Sequence, residues 1–205
     1  MFDYLFSQYS DYPTHEIILE ITAVIFGLLS VWYAKKNNIL VFPTGLVSTF
    51  IYVYLLWKWS LLGDMIINAY YVIMSIYGWY HWTRKKEDVE EFPISKTTRS
   101  EKVWALFLFI FSMVFVVLVY SYFDKFTSWT AYVDTLTTGI FFAGMWLMAK
   151  RKIENWILWI IGDFISIPLY FYKGYTFTSI QYIIFTIIAV YGYLEWKKIL
   201  QQEKN

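Results

Sequence analysis

Seven apolar stretches, each close to twenty residues long, constrain this chain more than any other feature. They run roughly over 16–34, 39–57, 61–82, 103–123, 129–149, 155–172 and 177–196, with charged clusters or short polar turns between them. A helix needs about 20 apolar residues to cross the hydrocarbon core of a bilayer. In lipid the backbone must satisfy its own hydrogen bonds, which helices do within one segment. The composition agrees: 59% of the residues are hydrophobic and 16% charged, against roughly 25% charged in soluble domains. With 19 Tyr, 18 Phe and 11 Trp in 205 residues, a water-soluble core could not hide the apolar surface. The expected fold is an all-α integral membrane domain of seven transmembrane helices, spanning residues 1–205 as one unit.

The basic residues set the expected orientation, because short cytoplasmic loops retain Lys and Arg. Fourteen of the 17 fall on one side of the alternating loops: Lys35 and Lys36, six between Arg84 and Lys102, Lys150 to Lys152, and Lys197, Lys198 and Lys204. The other side holds only Lys58, Lys125 and Lys173. The N-terminus is therefore expected outside and the C-terminus in the cytoplasm. The acidic start MFDYLFSQYSDY lacks the basic region of a signal peptide, so no cleavage is expected. The longest connection, 83–102, is too polar to cross and is expected to lie along the cytoplasmic surface as a linker.

The first three spans resemble the last three. Tyr77-Gly78-Trp79-Tyr80-His81-Trp82 precedes Arg84-Lys85-Lys86, and Tyr191-Gly192-Tyr193-Leu194-Glu195-Trp196 precedes Lys197-Lys198. Ile25-Phe26 through Ala34-Lys35-Lys36 parallels Ile140-Phe141 through Ala149-Lys150-Arg151. The offset is 114 residues for the span ends and 115 for the first spans. Aromatic belts flanked by Lys are common at inner membrane faces, but two separate segments matching at nearly one offset argue for a repeat. Equivalent helices four spans apart must point the same way. This predicts a 3+1+3 arrangement: a first bundle over 16–82, the linker 83–102, a linker helix over 103–123 and a second bundle over 129–196. Parallel repeats of this kind are a transporter signature, with the site between the halves.

Intramembrane charge is costly and usually functional. The spans contain Glu16, Glu20, Asp64, Asp134, Asp163 and Glu195, and no Lys or Arg at comparable depth is expected beside them. Glu16, Asp64 and Glu195 lie near span ends, where a solvated interfacial acid is the simpler reading. Glu20 and Asp134 occupy nearly equivalent positions of the two halves and serve either a ligand or a neighbouring helix. Acids without bases suit a cationic substrate, a proton or a metal, and the lack of Cys and of a His at depth disfavours a metal. Trp156 and Trp159 lie on one face of the sixth span with Asp163 one turn further on, a stripe able to stack a flat cationic heterocycle. Trp156 also fits an interfacial belt. Asp64, Asn68 and Tyr71 share a face of the third span, and Gln181 and Tyr182 add hydrogen-bonding groups from the seventh.

At these residues the chain resembles the PnuC family of vitamin transporters over nearly its whole length. The resemblance is carried by Glu20 to Lys36, Phe42-Pro43-Thr44-Gly45, Asp64 to Trp82 and Trp156-Ile157-Leu158-Trp159. The last matches the family's W-x-x-W motif, which lines the site. Asn68 departs from the Gln that many members carry, which bears on substrate identity. The resemblance implies two parallel three-helix bundles similar to the sugar transporters called SWEETs, in a bacterial inner membrane. It implies facilitated diffusion of nicotinamide riboside, drawn inward by cytoplasmic phosphorylation, and leaves room for a homo-oligomer. Thiamine, another aromatic cation, is the alternative substrate within the family. Riboflavin, larger and neutral, makes less use of the acids.

Other classes fit less well. The net charge of +1 gives nucleic acid no footprint. A membrane enzyme needs a nucleophile with its base or a metal cluster, and neither is legible. No Gly-rich phosphate loop points to ATP, and no cofactor is implied. A receptor shares the helix count but not the parallel repeat.

Overall fold

The computed structural model describes residues 13–59, 62–86, 89–90, 92–124, 126–174 and 176–202. The N-terminal stretch, with the expectation about its processing, lies outside them. Seven α-helices follow one another: α1 (Thr14–Lys35), α2 (Val41–Lys58), α3 (Leu62–Thr83), α4 (Arg99–Tyr122), α5 (Trp129–Ala149), α6 (Asn155–Tyr172) and α7 (Thr176–Gln202). They fall on the seven predicted spans. α4 starts earlier than its apolar stretch because Thr98 and Glu101 form a capping box, each satisfying the other's free backbone N–H. α7 runs past its apolar stretch into the basic tail. Large side chains such as Ile73, Phe107, Leu118 and Phe164 stay exposed on the outer faces. So wide an apolar surface belongs against lipid. α1, α2 and α4 are long and apolar enough to cross a membrane on length and composition alone.

α2 packs against both α1 and α3, and α6 against both α5 and α7, while α4 lies mainly against α5. The two bundles meet through α3 with α5 and through α1 with α7. Each bundle's first helix ends in the same hydrogen-bonded turn. Asn37 and Arg151 both take positive φ, 50° and 52°. Asn38 N–H reaches Tyr33 O and Lys152 N–H reaches Leu147 O, both at 2.9 Å, the reach-back of a left-handed helix stop. These turns lie 114 positions apart, like the span ends. The extra residue read between the halves is therefore not in this turn.

The connection between α3 and α4 is more than a surface linker. It contains a short antiparallel pair, β1 (Lys85–Lys86) and β2 (Val89–Glu90), with Lys85 opposite Glu90. It then docks onto the α5–α6 turn. Ser95 N–H donates to Arg151 O and Ile153 N–H donates to Ser95 O, both at 3.0 Å. Ile94 is buried in the core and Phe92 stacks on His81 at 3.7 Å between ring centroids. Glu101 sits 3.1 Å from Lys152 and 3.4 Å from Lys150. Burial works to raise the Glu101 carboxyl, but the hydrogen bonds from Thr98 and Lys152 outweigh it and hold the group at about 2.

Candidate functional site

Between the bundles lies a cavity of about 1230 Å³. All eight residues singled out from sequence line it. α3 contributes Asp64, Asn68 and Tyr71; α6 contributes Trp156, Trp159 and Asp163; α7 contributes Gln181 and Tyr182. The i, i+4, i+7 spacing in α3 and the i, i+3, i+7 spacing in α6 keep each of those sets on one face, and bundle packing turns those faces, with the adjacent Gln181 and Tyr182 of α7, toward the cavity.

Trp159 is the centre of the aromatic wall. Phe141 stacks on it at 5.5 Å and 27°, and Tyr71 meets it edge-on at 6.0 Å and 62°. Tyr182 lies parallel to Phe141 at 6.2 Å and 6°. Phe141 was not singled out from sequence. It can lie flat against α6 because Gly162 offers no Cβ there, and any Cβ would overlap the Phe141 ring. The readable signal was an exchange of sizes 114 positions apart: Gly27 and Ser48 meet in the first bundle where Phe141 and Gly162 meet in the second.

Asp163 is 3% exposed and lines the cavity. Among the described residues nothing hydrogen-bonds its carboxyl. A buried carboxylate without a partner is strongly disfavoured unless a counter-charge arrives.

Two other acids correct the expectation of acids without bases. Lys58 pairs with Glu16, and Trp59 Nε1 donates to the same carboxylate at 2.9 Å. Lys173 Nζ donates to both Asp134 oxygens at 2.7 and 2.6 Å. Both lysines come from helix ends and reach acids in the neighbouring helix with their long stems. Asp64 receives a hydrogen bond of 3.4 Å from the Tyr170 hydroxyl, a contact from α3 to α6 across the two bundles. Asn68 spends one amide hydrogen on the Asp64 carbonyl, at 2.9 Å. Gln181 enters from the first turns of α7, toward this same Lys58 and Lys173 end.

Trp156 does not share the surroundings of Trp159. It is 1% exposed and meets the edge of Trp196 at 5.5 Å and 88°. A Cβ on Gly192 would come within 2.7 Å of its ring. The first bundle repeats this packing: Phe42 meets Trp82 at 5.0 Å and 87°. Trp82 and Trp196 then approach each other at 6.1 Å. These four buried rings close the cavity at the Lys35 and Lys150 end, so the expected pair of stacking tryptophans separates into one cavity ring and one closure ring.

An aromatic, largely apolar cavity with a few acidic, amide and hydroxyl groups, enclosed by two helical bundles inside an apolar outer surface, defines a membrane transporter for small solutes. Residues 17–198 match the family described as the nicotinamide mononucleotide transporter, and the chain belongs to that family. It is 24% identical to the nicotinamide riboside transporter PnuC of Escherichia coli (strain K12), over 87% of this chain and 84% of that one. It is 22% identical to the riboflavin/roseoflavin transporter RibM of Streptomyces davaonensis, over 90% and 87%. The fold is that of the crystal structure of the vitamin B3 transporter PnuC, with a TM-score of 0.69 and 23% identity over 96% of this chain and 86% of that one.

Proposed function

We propose that this protein takes up nicotinamide riboside across a bacterial inner membrane by facilitated diffusion, with cytoplasmic phosphorylation retaining the product. The carrying observation is Asp163, a buried carboxylate without a partner one turn from Trp159. Nicotinamide riboside brings a flat aromatic ring for Trp159 and a fixed positive charge for Asp163. A neutral flavin would leave that carboxylate unpaired, which weighs against the activity named for the Streptomyces relative. A nucleotide phosphate adds about −1.5 to −2 charges at neutral pH. Among the described residues the one Lys or Arg lining the cavity is Lys173, and both Asp134 oxygens already hold it. The riboside is therefore favoured over the mononucleotide in the family's description.

The architecture is read as a 3+1+3 parallel repeat of the SWEET type, with α4 as the linker helix. The matched turns after α1 and α5, and the contacts α3–α5 and α1–α7 that exchange under the repeat, support this. The Lys35 and Lys150 end is taken as cytoplasmic from its basic residues, which makes the described state closed toward the cytoplasm.

Purified protein in liposomes should take up labelled riboside, and excess riboside should compete far better than the mononucleotide. Collapsing proton and sodium gradients should leave the initial rate unchanged. Equal competition by the mononucleotide sinks the substrate assignment, and strict gradient dependence sinks facilitated diffusion. Thiamine as the stronger competitor moves the assignment to that vitamin.

A further inference from the structure

The two seams between the bundles, α3 against α5 and α1 against α7, exchange under the repeat read above, but they are built differently. In the α3–α5 seam Tyr70 stacks on Phe142 at 3.9 Å and 6°, and its hydroxyl donates to the Phe142 carbonyl at 3.0 Å. The residues 114 positions away in the other seam are Ile184 and Leu28. Aliphatic side chains offer neither a ring to stack nor a hydroxyl to donate. Both line the cavity, so the α1–α7 seam borders the hollow directly.

The Lys35 and Lys150 end shows the same inequality. Each seam there holds one indole bond, Trp82 to the Ala149 carbonyl and Trp196 to the Ala34 carbonyl. The first is braced further. The Arg151 guanidinium lies 4.3 Å over the Trp82 ring and donates to Phe92 O at 3.0 Å. Phe92 in turn stacks on His81 of α3, and Ser95 exchanges two backbone bonds with the α5–α6 turn. Residues 92–95 therefore staple α3 to the second bundle. The position matching Arg151 is Asn37, which has no cation to set over a ring. The α1–α7 seam has instead Lys35 at 4.0 Å from Glu195, whose side chain is 49% exposed. An ion pair so open to water holds little. Packing follows suit. α5 lies against α3, α4 and α6, and fourteen of its residues are buried. α1 lies against α2 and α7, with three buried among the described residues.

We propose that the protein opens at the Lys35 and Lys150 end by parting α1 from α7, while the α3–α5 seam stays shut as the pivot. Opening this way gives up one indole bond and one exposed ion pair. Opening the other seam would break a ring stack, two side-chain hydrogen bonds and the 92–95 staple, and would move the helix with the most packed neighbours. The connection between α3 and α4 is then a hinge clasp. The proposal rests on the transporter class and on the repeat, and not on which vitamin is carried.

The chain has no Cys, which permits a matched cross-linking test. One pair is Lys35→Cys with Lys197→Cys, the residues that follow Ala34 and Trp196. The other is Lys150→Cys with Thr83→Cys, which follow Ala149 and Trp82. A bifunctional methanethiosulfonate, cleavable by reductant, bridges either seam, and peptide mass confirms the bridge. Uptake of labelled nicotinamide riboside into liposomes is read before bridging, after it and after reduction. Bridging α1 to α7 should abolish uptake, and reduction should restore it. Bridging α3 to α5 should leave the rate unchanged. Uptake lost through the α3–α5 bridge, or surviving the α1–α7 bridge, overturns the proposal. Hydrogen exchange of the unmodified, substrate-free protein needs neither the variants nor the riboside. Amides around Ala34 and Trp196 should exchange faster than those around Ala149 and Trp82, and equal or reversed rates overturn the proposal. If unmodified protein takes up no riboside, the substrate reading alone falls, and hydrogen exchange decides which seam opens.

Discussion

The indole N–H of Trp82 donates to the carbonyl of Ala149 at 3.1 Å, joining the end of α3 to the end of α5 across the two bundles. Trp196 makes the counterpart bond to Ala34 at the same 3.1 Å, from α7 to α1. Both acceptors lie in the last turn of a helix, where carbonyls lack an intrahelical donor. The bonds therefore tie the two bundles together at that end of the cavity; Trp82 supplies the donor to Ala149 O, whereas Ala34 O also accepts from the Asn37 N–H at 2.9 Å.

Trp82→Phe and Trp196→Phe keep the ring packing and remove these bonds. Each should cost about 0.5–1.5 kcal/mol of the closed state. The chain has no Cys, so a single Met148→Cys reports access to the closed end. Its labelling by a maleimide from the Lys35 and Lys150 side should rise in the double Phe variant. Unchanged labelling means that the bonds hold the fold and not the closure.

Trp159→Ala should weaken riboside binding by about 1–3 kcal/mol, the worth of one stacking ring. Trp159→Phe should retain part of it. Trp156→Ala should act differently, removing a fully buried ring at a cost of about 3–5 kcal/mol to stability. Thermal unfolding in detergent separates the two: a lower Tm for Trp156→Ala, and near wild-type Tm with poor binding for Trp159→Ala. The reverse pattern would mean that the two rings have exchanged roles.

Asp163→Asn preserves shape and removes charge. Affinity for the cationic riboside should fall by tenfold or more, about 1.4 kcal/mol or above, while any binding of neutral nicotinamide should be retained. Calorimetry with both ligands decides it, and an undiminished riboside affinity would remove Asp163 as the counter-ion.

Glu101 ties the start of α4 to Lys150 and Lys152 and titrates at about 2, below the ordinary 4.5. A depressed carboxyl contributes stability that is complete above about pH 4.5 and disappears as pH falls through about 2. Glu101→Gln should therefore lower stability at neutral pH by about 1–2 kcal/mol. The difference in Tm between wild type and variant should shrink as pH is lowered through that window. A difference that is constant with pH would show the loss to be one of packing.

Apolar length and the spacing of polar residues on helix faces were enough, in the sequence by itself, to determine seven spans, their order and, on α3 and α6, six of the residues that line the cavity. These are local properties: twenty apolar residues in lipid must be helical, and residues three or four apart must share a face. Tertiary structure alone decided the partnerships. Asp134 meets Lys173 and Glu16 meets Lys58 because helix packing brings distant ends together and flexible lysine stems cover the gap. The same packing buried Trp156 against Trp196 and left Trp159 in the cavity, although both stand on one face of α6. It also set Gly45 beside Ser30 and Ser75. A glycine in a string of letters does not show what its missing side chain makes room for; that depends on which helices are packed beside it.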